Sequence, residues 1–243
     1  MELKVSNVRK TFRGSDGEPT FSLDIPEVSF MPAKLTFLMG ANGSGKSVFL
    51  RLLAGDLMPD HDEIILNQDG KSWEADKKWT AIVRQKAEDN LALDLTVREN
   101  LAIRQSSLSI LDRFVPLKTD GRFDGLLAQH PKLAQKLDQP CRNLSGGQKQ
   151  TLAFLAAASH NHAILALDEF LAATDQTTGL ALRKMVKNYA VAGPAVVLVI
   201  SHDLHVAMED ADRILVLQQG RLMADVARDS KSWSRTYLES VLK

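Results

Sequence analysis

One segment constrains this chain more than any other: the string Gly40-Ala41-Asn42-Gly43-Ser44-Gly45-Lys46-Ser47, which fits the phosphate-loop pattern G-x-x-x-x-G-K-[ST]. It follows the apolar segment Leu35–Met39, which is typical of a buried strand, and it precedes Ser47–Ala54, whose apolar residues have helical spacing. Glycines let the backbone curl so that successive N–H groups and a helix amino terminus face phosphate oxygens. The string therefore predicts a nucleoside-triphosphate site between a strand and a helix.

The side chains of this loop have separable roles. The Lys46 ammonium is expected to contact the β and γ phosphates, and the Ser47 hydroxyl to coordinate Mg²⁺. We predict that the nucleotide is bound by Gly40, Ala41, Asn42, Gly43, Ser44, Gly45, Lys46, Ser47 and Val48, the last through its backbone amide. A phosphate loop alone is common to kinases, GTPases, helicases and transport ATPases, so other motifs must separate these classes.

The remaining pattern predicts an α/β fold. Short strand-like segments near the amino terminus, at Leu3–Val8, Ser22–Ile25 and Val28–Phe30, indicate an antiparallel β subdomain. Further along, strand patterns alternate with helical ones, which is typical of a mostly parallel sheet. These later segments are strands Ala163–Leu167 and Ala195–Ile200, helices Gln148–Ser159 and Leu180–Tyr189, and a terminal hairpin of Arg213–Gln218 and Arg221–Val226 around Gly220.

The middle of the chain has a different character. Val97–Ile103 and Gly125–Leu137 have apolar residues at helical spacing, and the region lacks convincing strands. We therefore predict one domain over residues 1–243, in which residues 1–95 and 145–243 form a P-loop NTPase core and residues from about 96 to 144 form an inserted helical subdomain.

Composition indicates which partners and which cellular compartment to expect for the protein. The 30 basic and 30 acidic residues give a net charge of zero, which removes the usual electrostatic argument for a nucleic-acid partner. Cys141 is the only cysteine, so an internal disulfide is excluded and a reducing compartment is expected. The longest apolar stretches, Leu152–Ala158 and Ala195–Ile200, are far shorter than the ~20 residues of a membrane-spanning helix, and the first residues do not resemble a secretory signal.

A second candidate for phosphate binding precedes the Gln148–Ser159 helix. Ser145 is a natural N-cap, and the sequence Ser145-Gly146-Gly147-Gln148 opens a helix whose first amides are available to an anion. Alone, such a turn is usually structural. Beside a phosphate loop, it indicates a second helix end for the same triphosphate, which is reasonable if another copy of the chain supplies it in trans.

With these motifs together, the sequence resembles the nucleotide-binding subunits of ABC transporters over nearly its whole length. The matching motifs, in chain order, are Phe12 at the adenine-stacking aromatic, Gly40–Ser47 at Walker A, Gln85 at the Q-loop, Leu144–Gln148 at the LSGGQ signature, Ile164–Glu169 at Walker B, Asp175 at the D-loop and His202 at the switch histidine. The resemblance implies an ATPase that uses ATP and Mg²⁺.

The resemblance also implies a role for each side chain. Asp168 is expected to hold Mg²⁺ with Ser47 and Gln85, and Glu169 is expected to orient and deprotonate the attacking water. His202 is expected to donate a hydrogen bond to the γ-phosphate, and Lys46 and Gln85 complete the catalytic set. The trans nucleotide-binding residues are Ser145, Gly146, Gly147 and Gln148, and Asp175 lies at the dimer interface. Phe12 has two interpretations, adenine stacking or packing in the β subdomain.

Three positions depart from the family pattern. The family commonly has the sequence Asp-Glu-Pro-Thr at the end of Walker B, whereas this chain has Phe170 after Glu169. The family commonly has Leu-Asp in the D-loop, whereas this chain has Thr174 before Asp175. Val48 occupies the position at which a second hydroxyl residue often follows the phosphate loop. The catalytic carboxylates remain, and the expected consequence concerns the geometry of the dimer interface and the turnover rate.

The resemblance implies a function in transport. Closure of an ATPase dimer on ATP, followed by reopening on hydrolysis, is expected to drive separate transmembrane permease subunits that dock on the helical subdomain near Gln85. The second ATPase subunit is expected to be an identical chain, and a solute-binding protein is expected to take part indirectly. The expected location is cytoplasmic, at the inner face of the cell membrane. Separate ATPase chains of this length resemble importers more than exporters.

Two alternative functions fit the sequence less well. A soluble ABC ATPase acting on nucleic acid or ribosomes usually has two cassettes, a long coiled coil or basic extensions, none of which the sequence shows. A P-loop kinase or GTPase outside the ABC family leaves the Leu144–Gln148 motif and His202 unexplained. Transport is therefore the preferred interpretation.

Overall fold

The computed structural model describes residues 1–68, 71–74, 79–103, 127, 130–159, 162–170, 176–193 and 195–243. Within these ranges the strands are β1 (Glu2–Arg13), β2 (Pro19–Ile25), β3 (Val28–Phe30), β4 (Leu35–Met39), β5 (His61–Gln68), β6 (Lys71–Glu74), β7 (Thr80–Val83), β8 (Ile164–Asp168), β9 (Val196–Ile200), β10 (Arg213–Gln218) and β11 (Arg221–Ala227).

The helices of the described residues are α1 (Lys46–Leu53), α2 (Val97–Ile103), α3 (Pro131–Ala134), α4 (Gly146–Ala158), α5 (Gln176–Ala192), α6 (Leu204–Asp210) and α7 (Arg235–Leu242). Two short 3₁₀ helices cover Ala87–Asn90 and Cys141–Asn143. None of the described helices is both long and apolar enough to cross a membrane.

The strands form one mixed sheet with the order β6-β5-β1-β2-β11-β10-β4-β9-β8-β7, and β3 pairs with β1. Strands β10, β4, β9, β8 and β7 are mutually parallel, whereas β1 pairs antiparallel with β2, β3 and β5. The amino-terminal antiparallel subdomain and the parallel core are thus confirmed, and they share one continuous sheet.

The inner residues of the parallel strands are buried on both faces, which explains why these strands are mainly apolar rather than alternating. On β8, Leu165 and Leu167 belong to a core cluster with α4 and α5, where Phe154 and Tyr189 pack edge to face at 5.8 Å between ring centroids. Ile164 and Ala166 face the opposite cluster, which includes α1. Each layer of helices therefore fixes one face of the same sheet.

Helix α1 shows how local sequence places an element. Its apolar residues Phe49, Leu50, Leu52 and Leu53 are buried, and the Phe49 ring lies 6.3 Å from that of Phe30 in the β subdomain. Gly55 follows in the left-handed region, at a φ of 67°, which ends the helix. The helix after the phosphate loop is thereby anchored to the amino-terminal strands.

The predicted helix Val97–Ile103 is confirmed, and Pro131–Ala134 is a helical part of the predicted Gly125–Leu137 segment. Residues 104–126, 128 and 129 of the predicted helical subdomain lie outside the described residues, so its bounds stay a prediction. Strands β5, β6 and β7 and helices α6 and α7 were not predicted from the sequence.

Candidate active site

Four neighbouring parallel strands end at the same edge of the sheet, and each is followed by a candidate site residue. Strand β4 leads into the phosphate loop, β9 precedes His202, β8 ends at Asp168 before Glu169, and β7 precedes Gln85. In open α/β sheets, ligands bind outside the carboxyl ends of the strands. Segments far apart in the sequence are therefore brought to one edge.

The backbone of the phosphate loop needs glycine at defined positions. Gly40 has a φ of 149°, and a Cβ placed there would lie 2.2 Å from the carbonyl oxygen of Leu217 on β10. Gly45 has a φ of 107°, and a Cβ placed there would lie 2.8 Å from Leu23 Cδ1. The loop is thus packed tightly against its neighbours, and any side chain at these positions would displace them.

Lys46 is held inside this loop. Its side chain is buried, and its Nζ donates hydrogen bonds to the carbonyl oxygens of Gly40 at 2.6 Å and Ala41 at 3.0 Å. Burial lowers the pKa of the ammonium, and the nearby carboxylates of Glu169 and Asp168 oppose that effect. The ammonium is therefore oriented before any phosphate arrives.

Asp168 and Glu169 form a carboxylate pair at the end of β8. Burial, followed by the charge of Glu169, raises the pKa of Asp168, while Lys46 and Arg84 act in the opposite direction. Glu169 Oε1 lies 3.4 Å from His202 Nδ1, and the Glu169 amide donates to the Ile200 carbonyl at 3.0 Å. The Asp168 and Glu169 carboxylates present negative charge to a metal ion, and the nearby Lys46 ammonium presents positive charge to a phosphate.

These side chains line one cleft of about 620 Å³. The residues that line it are Phe21, Asn42, Gly43, Gly45, Lys46, Ser47, Val48, Gln85, Asp168 and Glu169. Phe12 is not among them, but its ring lies 6.4 Å from that of Phe21, which does line the cleft. Both interpretations of Phe12 therefore stay open, and the aromatic surface nearest the phosphate loop belongs to Phe21.

The described residues contain an unpaired polar atom inside the loop. Ser44 Oγ is buried and has no hydrogen-bond partner among them. An unpaired buried hydroxyl costs free energy unless a ligand or water satisfies it. Together with the hydroxyl of Ser47 and the carboxylate of Asp168, which are oxygen donors of the type that Mg²⁺ prefers, the loop fits a triphosphate with its metal.

The second candidate, Ser145–Gln148, is a capped helix end outside this cleft. Ser145 Oγ accepts a hydrogen bond from the Gln148 amide at 3.4 Å, and Gln148 Oε1 accepts from the Ser145 amide at 3.2 Å and from Lys136 Nζ at 3.1 Å. Ser145 and Gly146 are exposed. This motif does not meet the phosphate loop of its own chain, and Asp175 lies outside the described residues.

Cys141 is buried below the signature motif, and Asn100 Nδ2 lies 3.1 Å from its Sγ. Burial raises the pKa of this thiol to about 11, so it stays protonated and is a poor nucleophile at neutral pH. Its burial indicates a structural position.

A family model described as "ABC transporter" matches residues 23–172, which is more than half of the chain. The chain belongs to the ABC transporter family. It is accordingly an ATPase in which hydrolysis of ATP drives transport. The cleft lined by the phosphate loop and the carboxylate pair is the candidate nucleotide site.

Curated relatives of this ABC ATPase include the tyrosine transport ATP-binding protein of Clostridioides difficile, 27% identical over 94% of this chain and 93% of the relative. The sulfate/thiosulfate import ATP-binding protein CysA of Synechocystis is 31% identical over 91% of this chain, which spans only 59% of that relative. Among solved structures, cbiO1 from Clostridium perfringens, part of the ABC transporter complex cbiONQ, has a TM-score of 0.75, with 22% identity, 97% coverage of this chain and 92% coverage of that one.

Three residues in or near the cleft were given no role by sequence reasoning. Phe21 lines the cleft, Arg84 acts on the charge of Asp168, and Gln150 contacts the segments that follow β7 and β8. The alternation of Phe21, Leu23 and Ile25 along β2 could have placed Phe21 on the inner face of that strand. Arg84 and Gln150 carry no signal of their own, because their roles depend on which strand ends are neighbours.

Proposed function

We propose that the cleft binds ATP and that Glu169 is the general base of its hydrolysis. The observation that carries this proposal is the convergence of Lys46, Ser47, Asp168 and Glu169 in one cleft. A carboxylate can activate water only within hydrogen-bond reach of the reacting group, and Glu169 lines the cleft that holds the phosphate loop.

Asp168 and Ser47, with Gln85, are the residues that would hold Mg²⁺. When bound, the metal neutralises charge on the phosphate oxygens. Lys46 contributes a fixed positive charge, and the backbone amides of residues 40–48 orient the phosphates. This arrangement concentrates the positive charge where the transferred phosphate develops negative charge.

His202 and Gln85 complete the site from two other strand ends. His202 is exposed and lies beside Glu169. We propose that its ring donates a hydrogen bond to a γ-phosphate oxygen and orients the carboxylate. Gln85 is neutral and can contact both metal and water without adding charge. We propose that Phe12, with Phe21 beside it, contributes to the adenine side of the site.

We propose that the working ATPase is a dimer of two identical chains. Each nucleotide would lie between the phosphate loop of one chain and Ser145, Gly146, Gly147 and Gln148 of the other, with Asp175 at the interface. The exposure of Ser145 and Gly146 supports this, because a helix amino terminus turned to solvent is available to a second molecule. ATP binding closes the dimer, and hydrolysis reopens it.

We propose that the dimer drives separate transmembrane permease subunits, as the cbiONQ complex and the import ATP-binding relatives suggest. The chain would then sit at the cytoplasmic face of the membrane as a peripheral subunit of an importer, with a solute-binding protein acting indirectly. The predicted helical subdomain of residues 96–144, next to the Gln85 loop, is the proposed docking region.

The substitution Glu169→Gln tests this function. It keeps the size of the side chain but removes the base, so we expect ATP hydrolysis to fall at least about a hundredfold while ATP binding is retained. Size-exclusion chromatography with light scattering should show a dimer when ATP is present. Turnover equal to that of the parent chain would refute the assignment of Glu169, and a monomer with bound ATP would refute the dimer.

A further inference from the structure

Glu169 is held in an unusual backbone conformation. Its φ of 47° lies in the left-handed region, which a residue with a long side chain seldom adopts. Such a conformation persists only where surrounding contacts over-determine it. One of those contacts is the hydrogen bond from the Glu169 amide to the carbonyl of Ile200 at the end of β9.

A second contact comes from Gln150 on α4. This side chain is 3% exposed, and its Nε2 donates a hydrogen bond of 2.8 Å to the carbonyl oxygen of Phe170, the residue after Glu169. The same Nε2 makes a longer contact of 3.5 Å with the carbonyl oxygen of Gln85. One buried amide therefore joins the loops that follow β7 and β8.

A third contact fixes the same turn through its side chain. The Phe170 ring is fully buried, and its centroid lies 6.1 Å from that of Phe154, one helical turn beyond Gln150 on α4. Phe170 stands where ABC ATPases commonly have proline. Proline restricts the residue before it to extended conformations, whereas phenylalanine leaves Glu169 free to be left-handed.

We propose that Gln150 is a positioning residue for the Glu169 carboxylate. Through its hydrogen bond to the Phe170 carbonyl, with the Phe170 ring anchored on Phe154, it holds the turn that directs Glu169 into the cleft. The inference rests on the proposed role of Glu169 as general base.

The contacts among Gln150, Phe170 and Phe154, which we call the Gln150 clamp, also link the signature helix end to the cleft. Gln150 and the exposed Ser145 belong to the same helix region, separated by little more than one turn of α4. A displacement of that helix end on dimer closure would reach the Glu169 turn and the Gln85 loop through one side chain. Positioning of a base matters because a shift of about 1 Å in a catalytic group can cost about a hundredfold in rate.

The test replaces Gln150 with methionine, which has similar length but lacks the donor. We expect the kcat of the purified chain to fall about tenfold to a hundredfold, with the Kd for a fluorescent ATP analogue changed less than about twofold. A crystal structure of Gln150→Met should show the φ of Glu169 outside the left-handed region. Gln150→Glu, which places a carboxylate against two carbonyl oxygens, should lower kcat further.

The matched control is Thr80→Val. Thr80 is also buried and donates one side-chain hydrogen bond to a main-chain carbonyl, that of Leu53, away from the cleft. We expect this variant to lower Tm as Gln150→Met does while leaving kcat unchanged. Equal kcat for the parent chain, Thr80→Val and Gln150→Met would overturn the proposal.

If Gln150→Met unfolds the chain, Phe170→Leu tests the same clamp from its other side, because it keeps an apolar residue but removes the ring. A selective loss of kcat is expected, and an unchanged kcat would overturn the proposal. Failure of the underlying function is distinguishable, since Glu169→Gln would then retain turnover, whatever Gln150→Met does.

Discussion

The two helix amino termini that carry the phosphate-binding motifs are built in opposite ways. Helix α1 begins after Gly45, which contributes no side-chain hydrogen bond, so its first amides face the cleft without a cap. Helix α4 begins at Ser145, where a reciprocal capping box with Gln148 already occupies part of the helix end. The first end is prepared for a ligand, and the second is a completed, stable helix end that can add contacts only when a ligand is presented to it.

The amino termini of α1 and α4 also differ in their electrostatics. Burial in the cleft disfavours the charged forms of Lys46 and Asp168, because it lowers the pKa of Lys46 and raises that of Asp168. The protein therefore stabilises these two charges only partly. At the other end, Lys136 and Gln148 are hydrogen-bonded to each other and Ser145 is exposed. We therefore propose that affinity for ATP depends mainly on the cleft, whereas the signature helix contributes mainly to turnover.

The largest expected effect separates these two contributions. Lys46→Ala removes a charge-assisted contact, so the Kd for ATP should rise about tenfold to a hundredfold. Ser145→Arg places a bulky cation at the proposed dimer interface, so Kd should change less than about threefold while hydrolysis falls at least as much as in Lys46→Ala. Equilibrium binding and steady-state ATPase assays on both variants check this.

The opposite pattern would break the comparison. A Ser145→Arg chain that no longer binds ATP would show that the signature motif contributes to binding within one chain, contrary to the trans arrangement. A Lys46→Ala chain that binds ATP normally would mean that the loop amides alone determine affinity.

The second prediction concerns the folding stability that is lost because the Asp168 carboxylate is buried in the cleft. A carboxyl whose pKa is raised by folding binds its proton more tightly in the folded chain, so stability falls as pH rises from the ordinary value of 3.8 through the raised value of Asp168. Asp168→Asn removes that cost, and we expect Tm at pH 7.5 to rise by about 1–3 °C while Mg²⁺-dependent hydrolysis is lost.

The gain in Tm from Asp168→Asn should shrink as pH falls and disappear below about pH 3, where the aspartate is protonated in both states. Differential scanning calorimetry between pH 3 and pH 8 measures it. A substitution that lowers Tm equally at every pH would contradict the electrostatic account.

Much of this site could be predicted from the sequence, because its motifs are local. The phosphate loop, the Asp168–Glu169 pair and His202 each follow an apolar run that reads as a strand, and β4, β8 and β9 form close to where the pattern placed them. Strand β7 was missed because it has only four residues, yet it carries Gln85 to the cleft.

What the sequence could not show is set by the order of strands in the sheet. Strands β9 and β8 are neighbours although the helix α5 separates them in the chain, and this adjacency brings His202 to Glu169. Strands β5 and β6 were missed because their ends are polar and their apolar residues are few. The role of Gln150 likewise depends on packing between segments that have no local pattern in common.

The last prediction concerns stability alone and tests how completely the signature helix end is packed, using its two adjacent glycines. A Cβ at Gly146 meets nothing within 4 Å, whereas a Cβ at Gly147 would lie 2.7 Å from Thr178 Cγ2 at the start of α5. Alanine restricts the unfolded chain, so Gly146→Ala should raise Tm by about 1–2 °C. Gly147→Ala should lower it by about 2–4 °C, because Thr178 must move. Each variant is the control for the other in thermal unfolding without nucleotide. Equal shifts of the same sign would mean that α5 does not support the signature helix, and the contrast between a closed helix end and an open phosphate loop would then rest on the capping box alone.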